Sequence, residues 1–363
     1  MRFLVVTTVH TPLDARIHRR QIGILTAMGH EVTYVAPWRS TGTSREDAGQ
    51  HVRAIDVPRS VGRDRWTAIS RARRLVARLA DDHDLVIIHD PELLAIAPAR
   101  RWRTPLVWDV HEDVATSLLD RSWVPPRFRR AIAGAVRLAE SAAERHLHLV
   151  LAESAYRERF SRVHPVVPNV PWLPTLEPPA PDDGRVVYVG RISNSRGARQ
   201  MLEIAHVLGP DVPVHLIGDV DADLRGEIEL ASQAGVIHWH GFLPNEQALE
   251  FIQGASVGLS LIEPQPNHRV SLQSKVLDYL SRRVPVLVSD LPVTGPFVRE
   301  RDVGRVVPYG DVDAAVMEIR RLIADGDERR QLADRGFALV QAGLCWDVEG
   351  PRFEQILRGW AVS

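Results

Sequence analysis

Two segments in the second half of the chain carry residue types that could hold a phosphate. In Val189-Gly190-Arg191-Ile192-Ser193-Asn194-Ser195-Arg196-Gly197, two arginines stand on a loop that leads from an apolar run into a helix-period stretch. A helix N-terminus offers free N–H groups and a positive dipole end, and guanidinium adds charge with bidentate donors. The glycines do not fall in the G-x-G-x-x-G spacing, so a dinucleotide site is not supported. The second segment is Ser271-Leu272-Gln273-Ser274-Lys275-Val276-Leu277-Asp278-Tyr279-Leu280, followed by Arg283-Val284-Pro285-Val286-Leu287-Val288-Ser289-Asp290; Lys275 is the only lysine of the chain. Lys275 and Asp278 share a helix face. A lysine near the helix start can meet a phosphate, and a carboxylate one turn later can accept bonds from two ribose hydroxyls. The plain alternatives are a solvated loop with two arginines and an exposed ion pair of little energetic weight.

A second set lies in the first half. His89-Asp90 and His111-Glu112-Asp113 each follow an apolar run, so both histidines are expected at one cleft edge. These are metal-ligand types, which leaves a metal-dependent hydrolase using His89, Asp90 and His111 as an alternative function. A core histidine satisfied by hydrogen bonds is the alternative for either ring. Asp219-Val220-Asp221-Ala222-Asp223 has the form of a D-x-D metal motif, but its place after a strand and before a helix predicts N-capping. His238-Trp239-His240 puts two histidines on one strand face with no third ligand evident, and reads as a strand end.

The elements that must position these residues alternate along the chain. Phe3–Thr8, Glu31–Val35, Leu85–Ile88, Leu106–Asp109 and Leu149–Ala152 read as buried parallel strands. Ala15–Met28, Trp66–Leu79 and Arg127–Arg145 read as helices between them. Seven prolines then crowd His164–Gly184, a stiff, extended composition. Alternation restarts with Arg185–Val189, Val214–Ile217, Val236–His240, Val257–Leu261, Val286–Val288 and Arg305–Val307. The expectation is an α/β chain of two Rossmann-like, doubly wound domains facing across a cleft, with ligands at the carboxyl ends of the strands. Its boundaries are 1–168 for the N-terminal domain, 169–184 for a proline-rich hinge, 185–345 for the C-terminal domain, and 346–363 for a terminal helix returning to the first domain.

The length of 363 residues and the 45% apolar fraction suit two such domains. With Cys345 alone, no intrachain disulfide can form. No apolar run reaches the roughly 18 residues that span a bilayer, and Met1–Val6 reads as a first strand rather than a leader. A cytoplasmic protein is expected. Residues 1–168 hold 26 arginines against 19 acidic residues, while the remainder holds 19 basic against 27 acidic. The arginines are scattered and no recognition motif accompanies them, so no nucleic-acid partner is expected. Arg121-Ser122-Trp123-Val124-Pro125-Pro126-Arg127-Phe128-Arg129-Arg130 mixes basic and aromatic residues beside a helix. That suits peripheral contact with the inner face of a membrane, or equally a solvated helix anchored by its aromatics.

Together the motifs resemble those of the large retaining glycosyltransferase family 4, which has the GT-B fold. That family carries V-G-R, a basic residue five positions on, and a carboxylate helix followed by G-x-P-V-V-x-S; Gly190-Arg191, Arg196, Asp278 and Pro285–Ser289 match in order. Thr11-Pro12-Leu13-Asp14-Ala15-Arg16-Ile17 resembles its opening loop. His89-Asp90-Pro91-Glu92-Leu93-Leu94, Trp108-Asp109-Val110-His111-Glu112 and Val167-Pro168-Asn169 resemble further signatures. The lysine three residues before the carboxylate is similar to a subgroup rich in cell-surface polysaccharide enzymes. The resemblance implies that Arg191 and Arg196 grip a donor diphosphate and Asp278 the ribose. Phe242 and Leu243 would line the base pocket, with Ser271, Leu272 and Lys275 beside the donor. His111 would lie near the transferred sugar, with Asp14, Arg16 and His89 on the acceptor side.

The sequence departs from the family pattern in places. Two glutamates eight positions apart are usual; the second is Asp278 here and the first falls on Val270, unless Glu263 takes its role by a fold-back of 264–269. Arg283 stands where glycine is usual. The implied reaction is sugar transfer from a nucleoside diphosphate donor, UDP slightly favoured, with retention. The acceptor would be a small-molecule, lipid-linked or glycan hydroxyl. The departing phosphate takes the acceptor proton while Arg191, Arg196 and Lys275 stabilise the leaving charge. No metal or other cofactor is expected, since side-chain cations fill that role. The departures at Val270 and Asp278 leave a catalytically idle, transferase-like subunit as a further alternative.

Overall fold

The computed structural model describes residues 1–99, 103–111 and 126–362. It divides into two units, Met1–Asn169 with Val348–Ser363, and Val170–Asp347. The proline-rich stretch, expected as a hinge over 169–184, belongs with the second unit from Val170 onward.

Unit 1 is built on a six-stranded parallel sheet: β1 (Arg2–Val6), β2 (Glu31–Ala36), β3 (Val52–Asp56), β4 (Leu85–Ile88), β5 (Leu106–Val110) and β6 (His148–Leu151). Its order is β3-β2-β1-β4-β5-β6. β4 and β5 are buried along their whole length, as strands covered on both faces must be. β3 had no counterpart among the expected strands. It lies at the sheet edge, half-buried with Arg53 exposed, so it lacks the apolar run that marks the inner strands. The segment expected as a helix over 15–28 winds as a π-helix over Ala15–Ile22 and as an α-helix over Gly23–Ala27. Helices Arg65–Leu79 and Pro126–His146 follow. The last helix, Trp346–Ala361, joins unit 1 from Val348 on. His30 Nε2 lies 2.8 Å from Glu354 Oε1, Arg352 donates to the Val166 carbonyl, and Trp360 stacks on His148.

Unit 2 repeats the plan with β7 (Val186–Val189), β8 (Val214–Ile217), β9 (His238–Trp239), β10 (Val257–Ser260), β11 (Val286–Ser289) and β12 (Gly304–Val307). All pairings are parallel, in the order β12-β11-β10-β7-β8-β9. Val186, Tyr188, Leu216, Val257, Leu259 and Leu287 pack with the helices Ala198–Leu208 and Val312–Ala324 in its core. In each sheet the order reverses once, between β1 and β4 in unit 1 and between β7 and β10 in unit 2. Crevices at the carboxyl ends of such strands are where doubly wound sheets bind ligands.

Candidate functional site

In unit 2 the chain leaves β7 at Val189 and turns on Gly190, whose φ of +128° is one that L side chains rarely adopt. A Cβ there would stand 3.5 Å from Lys275 Nζ, 3.7 Å from Arg196 Nη1 and 3.7 Å from the Tyr188 hydroxyl. The missing side chain thus leaves a small space ringed by two cations. Arg196 closes a 3-10 turn, Asn194–Arg196, and Gly197 then caps the helix Ala198–Leu208 at a φ of +79°. A Cβ on Gly197 would lie 2.1 Å from the Leu261 carbonyl oxygen, so only glycine lets this loop press against the end of β10.

Lys275 is the second residue of the helix Ser274–Leu280 and is buried. Its ammonium sits 3.8 Å above the centre of the Tyr188 ring, a cation–π contact, and makes no hydrogen bond among the described residues. Burial, aided by the charge of Arg196 and opposed by Asp278, holds it well below the usual lysine range. Two tyrosines that sequence reasoning missed fix this geometry. Tyr188 donates to the Arg191 carbonyl at 2.7 Å. On the Lys275 helix, the Tyr279 hydroxyl accepts from Val189 N at 2.9 Å and donates to the Leu259 carbonyl. Aromatic residues inside apolar segments look like core in sequence; only the fold shows their polar ends clamping two loops.

The remaining expected donor residues are distributed around this cluster. Asp278 is half-buried one turn after Lys275. Arg191, expected in the same phosphate grip as Arg196 and Lys275, is 68% exposed and bonded to Asp221 at 2.5 Å. Asp221 and Asp223 do not cap the following helix, Arg225–Gln233, as was expected: its cap is Leu224, with no side-chain bond. Asp221 instead holds Arg191, and Asp223 accepts from Asn194. The two aspartates therefore brace the 190–196 loop. Phe242 is exposed and Leu243 half-buried in the segment whose Gly241 carbonyl accepts from Gly218 N. The Ser271 hydroxyl donates to the Asn267 carbonyl, and Leu272 is half-buried. Glu263 donates its N–H to the Ser195 carbonyl at 2.9 Å, so it borders the Arg196 loop, while its carboxylate accepts from Gln265. Val270 is exposed.

In unit 1 the carboxyl ends of β1, β4 and β5 gather a different cluster. Asp109, buried inside β5, is gripped by Arg16, with Nε to Oδ2 at 2.8 Å and Nη2 to Oδ1 at 2.7 Å. Arg16 also donates to the Val167 carbonyl. His89 Nδ1 lies 3.2 Å and His111 Nδ1 3.3 Å from Asp109 Oδ2. Burial would raise the Asp109 carboxyl, but the charge and hydrogen bonds of Arg16, with those of both histidines, hold it well below the usual range. Burial lowers His89, opposed by the hydrogen bond and charge of Asp109, whose carboxylate its Nδ1 faces. His111 Nε2 faces His10 Nε2 at 2.9 Å, and His10 Nδ1 stands 3.9 Å from Asp14. Asp14 caps the π-helix by accepting from Arg16 N and Ile17 N.

Sequence reasoning passed over His10 and gave Asp109 no role. A lone carboxylate inside the apolar run Leu106–Val110 was the available signal for Asp109, since a buried charge requires a partner. Donor atoms of His89, Asp109 and His111 lie within 4.8 Å of one another, a spacing a metal ion could use. Arg16 already covers both Asp109 oxygens and supplies the balancing charge. Asp90, the carboxylate of the hydrolase alternative, is likewise engaged: it accepts from Thr7 Oγ1, Thr8 N, Thr8 Oγ1 and Val9 N. Glu112, Asp113 and residues 121–125 of the basic-aromatic stretch lie outside the described residues. No described helix is long and apolar enough to cross a membrane.

Residues 15–139 match the family model of the glycosyl transferase 4-like domain, and residues 177–338 that of the glycosyl transferases group 1. The matches fall in turn on the two units, and the chain belongs to these two-domain glycosyltransferases of GT-B fold. Solved structures agree on that fold. Sucrose-phosphate synthase from Thermosynechococcus elongatus superposes with a TM-score of 0.76 at 17% identity, over 100% of both chains. HepE from Anabaena, in complex with UDP, gives 0.71 at 14% over 99% of each chain. WaaG, a glycosyltransferase involved in lipopolysaccharide biosynthesis, gives 0.70 at 13% over 99% of this chain and 100% of its own. No curated protein sequence matches the chain significantly.

Proposed function

We propose that the protein transfers a sugar from a nucleoside diphosphate sugar to a hydroxyl acceptor, with retention at the anomeric carbon, in the building of a surface polysaccharide or glycoconjugate. The observation that carries this reading is the buried Lys275 ammonium, without a hydrogen-bond acceptor among the described residues and facing Arg196 across the empty Cβ position of Gly190. Two like charges held together in a site at the carboxyl end of β7 call for an anion with several oxygens, and a diphosphate is such a group. Asp278, one turn along the same helix, would accept from ribose hydroxyls. HepE, crystallised with UDP and with UDP-glucose, favours uridine as the base.

In this reading the leaving diphosphate gathers charge in the transition state, and Arg196 and Lys275 answer it without rearranging. Arg191 joins them when Asp221 releases it. The transferred sugar and acceptor engage the His111 face of the unit 1 cluster, where His10, Asp14 and Arg16 hold the ring network in place. Side-chain cations make a divalent ion unnecessary for this chemistry. Peripheral membrane contact through the basic-aromatic stretch near residues 121–130 is part of the proposal, for a lipid-linked acceptor on the inner face of a membrane. The test is turnover of UDP-, GDP- and dTDP-sugars in excess EDTA, with the anomeric configuration of the product read by NMR. Retained configuration and undiminished rate support the reading. An inverted product, or activity that returns only with one metal, refutes it.

A further inference from the structure

The helix Arg65–Leu79 of unit 1 presents a wide cationic face to solvent. It buries Ala68, Ala72, Val76 and Leu79, the last three in the core of the unit. These positions recur at the helical period, which fixes the opposite side as the outer one. Trp66, Ser70, Arg73, Arg74 and Ala77 run along that side, with Arg71 and Arg78 beside them, and all are exposed. The helix contains five arginines and no carboxylate. Arg65 pairs with Glu92 at 3.4 Å; among the described residues the other four form no ion pair. Asp64 precedes the helix, and Asp81 and Asp82 follow it, so carboxylates stand only at its two ends.

Trp66 is 79% exposed and Val61, in the loop before it, 56%, whereas Trp38, Trp108 and Trp346 are buried. The loop is tied to the sheet: Ser60 N donates to the Thr8 carbonyl at 2.7 Å and Arg59 Nε to the Val9 carbonyl at 3.1 Å. Thr8 and Val9 lead from β1 into His10. Val61 and Trp66 are therefore held at the carboxyl end of the sheet, the end that carries the His10–His111 pair.

We propose that this face of the helix, led by Val61 and Trp66, docks unit 1 on an anionic lipid bilayer. Basic side chains near a membrane surface are drawn to anionic headgroups, and an indole settles at the level of the headgroups. Ser70 and Ala77, small residues between the arginines, let the face approach closely. A soluble polyanion would engage the arginines but offers the exposed valine nothing, which favours lipid. The surface is separate in sequence from the stretch near residues 121–130. Docked in this way, the end of the sheet with His10 and His111 lies beside the bilayer. Lipid binding needs neither donor nor acceptor, so the proposal does not rest on sugar transfer.

The experiment is flotation of the full chain with vesicles of phosphatidylcholine, with and without phosphatidylglycerol. The wild type should float only with the anionic vesicles. Raising the salt from about 0.1 M to about 1 M, which shortens the screening length from about 10 Å to about 3 Å, should release it. Each arginine near the surface is worth about fivefold, so Arg73→Gln with Arg74→Gln should bind roughly 25-fold more weakly. Both side chains are exposed, so the melting temperature should hold. Arg127→Gln with Arg129→Gln should lose less. A second reading needs no loss of charge: brominated lipid should quench part of the wild-type tryptophan fluorescence, and that part should be missing in Trp66→Phe. Three results would each overturn the proposal. One is no binding to anionic vesicles, even where RNA or heparin is bound. Another is binding indifferent to the Arg73 and Arg74 pair, including a loss confined to the Arg127 and Arg129 pair. The third is quenching unchanged in Trp66→Phe.

Discussion

Replacing Lys275 by methionine should move stability and donor binding in opposite directions. The ammonium is buried over Tyr188, faces Arg196 and makes no hydrogen bond among the described residues. Its folded pKa is held below the unfolded value, chiefly by burial. A lysine whose pKa is depressed on folding costs stability as pH falls from its unfolded pKa through the folded one, because the unfolded chain takes up the proton more readily. Methionine, of similar length and apolar, removes that cost, so the melting temperature without ligand should hold or rise. Binding should respond the other way. A charge-assisted contact to a phosphate oxygen contributes roughly 1.5–3 kcal/mol, or about tenfold to 150-fold in affinity. UDP should therefore bind Lys275→Met weaker by about that factor, while uridine binds both proteins alike. In the wild type, UDP affinity should also fall as pH rises through the folded pKa, since binding then requires proton uptake. Calorimetry with UDP and uridine across pH, beside thermal melts, checks all three expectations. A variant that melts several degrees lower while binding UDP normally would show that Lys275 is a packing residue and that the diphosphate sits elsewhere.

Arg196→Ala should weaken UDP binding more than Arg191→Ala, because Arg191 is exposed and already charge-paired with Asp221; equal losses in calorimetry would place both arginines on the phosphates. Asp109→Asn leaves the buried Arg16 guanidinium without its counter-charge, and breaking such a pair costs about 3–5 kcal/mol. Urea unfolding should show a loss of that order in unit 1, and a loss below about 1 kcal/mol would mean that the Arg16 grip adds little. Glu144 accepts from Ser161 N, Ser161 Oγ, Arg162 N and His164 Nε2. Burial would raise its pKa, yet these bonds lower it from 4.5 to about 2. Its stabilising contribution is thus complete above the unfolded value and lost as pH falls toward 2. The stability gap between wild type and Glu144→Gln should be widest near neutral pH and close through that window, and a gap constant with pH would contradict this.

The fold was legible where the sequence is monotonous. Leu85–Ile88 is a short apolar run between Asp84 and His89, and Val286–Val288 one between Pro285 and Ser289; the strands lie on those runs. Val52–Asp56 was not legible, because an edge strand mixes Arg53 and Asp56 into its pattern. The winding of Ala15–Ile22 as a π-helix was hidden as well, since no local propensity encodes it. In the site, sequence showed that Lys275 and Asp278 share a face, which follows from helix geometry alone. It could not show that Lys275 is buried, because the ring beneath it belongs to Tyr188, on a strand 87 positions earlier in the chain. Nor could it assign Asp221 and Asp223. A carboxylate before a helix reads as a cap until the arginine and asparagine of another loop are seen to take it.

The two clusters contain the same ingredient, a buried charge, and differ in how it is answered. Asp109 is surrounded by donors: a bidentate guanidinium and two imidazoles meet one carboxylate. Its ionised form is fully compensated, so the native fold keeps the charge with or without a ligand, and the rings it orients, His89 and His111, are fixed before any substrate arrives. Lys275 stands over an aromatic face, beside a like charge and a glycine with no Cβ, with the Asp278 charge as its counterweight. Its ionised form has no hydrogen-bond partner among the described residues and only the Asp278 charge in its favour, an imbalance that an anion entering the space beside Gly190 would relieve. A satisfied buried charge positions; an unsatisfied one binds. On this distinction the proposed donor affinity would come from unit 2, and the Asp109 cluster of unit 1 would hold His89 and His111 in place. Losses at Lys275 should consequently appear in donor affinity, and losses at Asp109 in the integrity of the fold that presents His111.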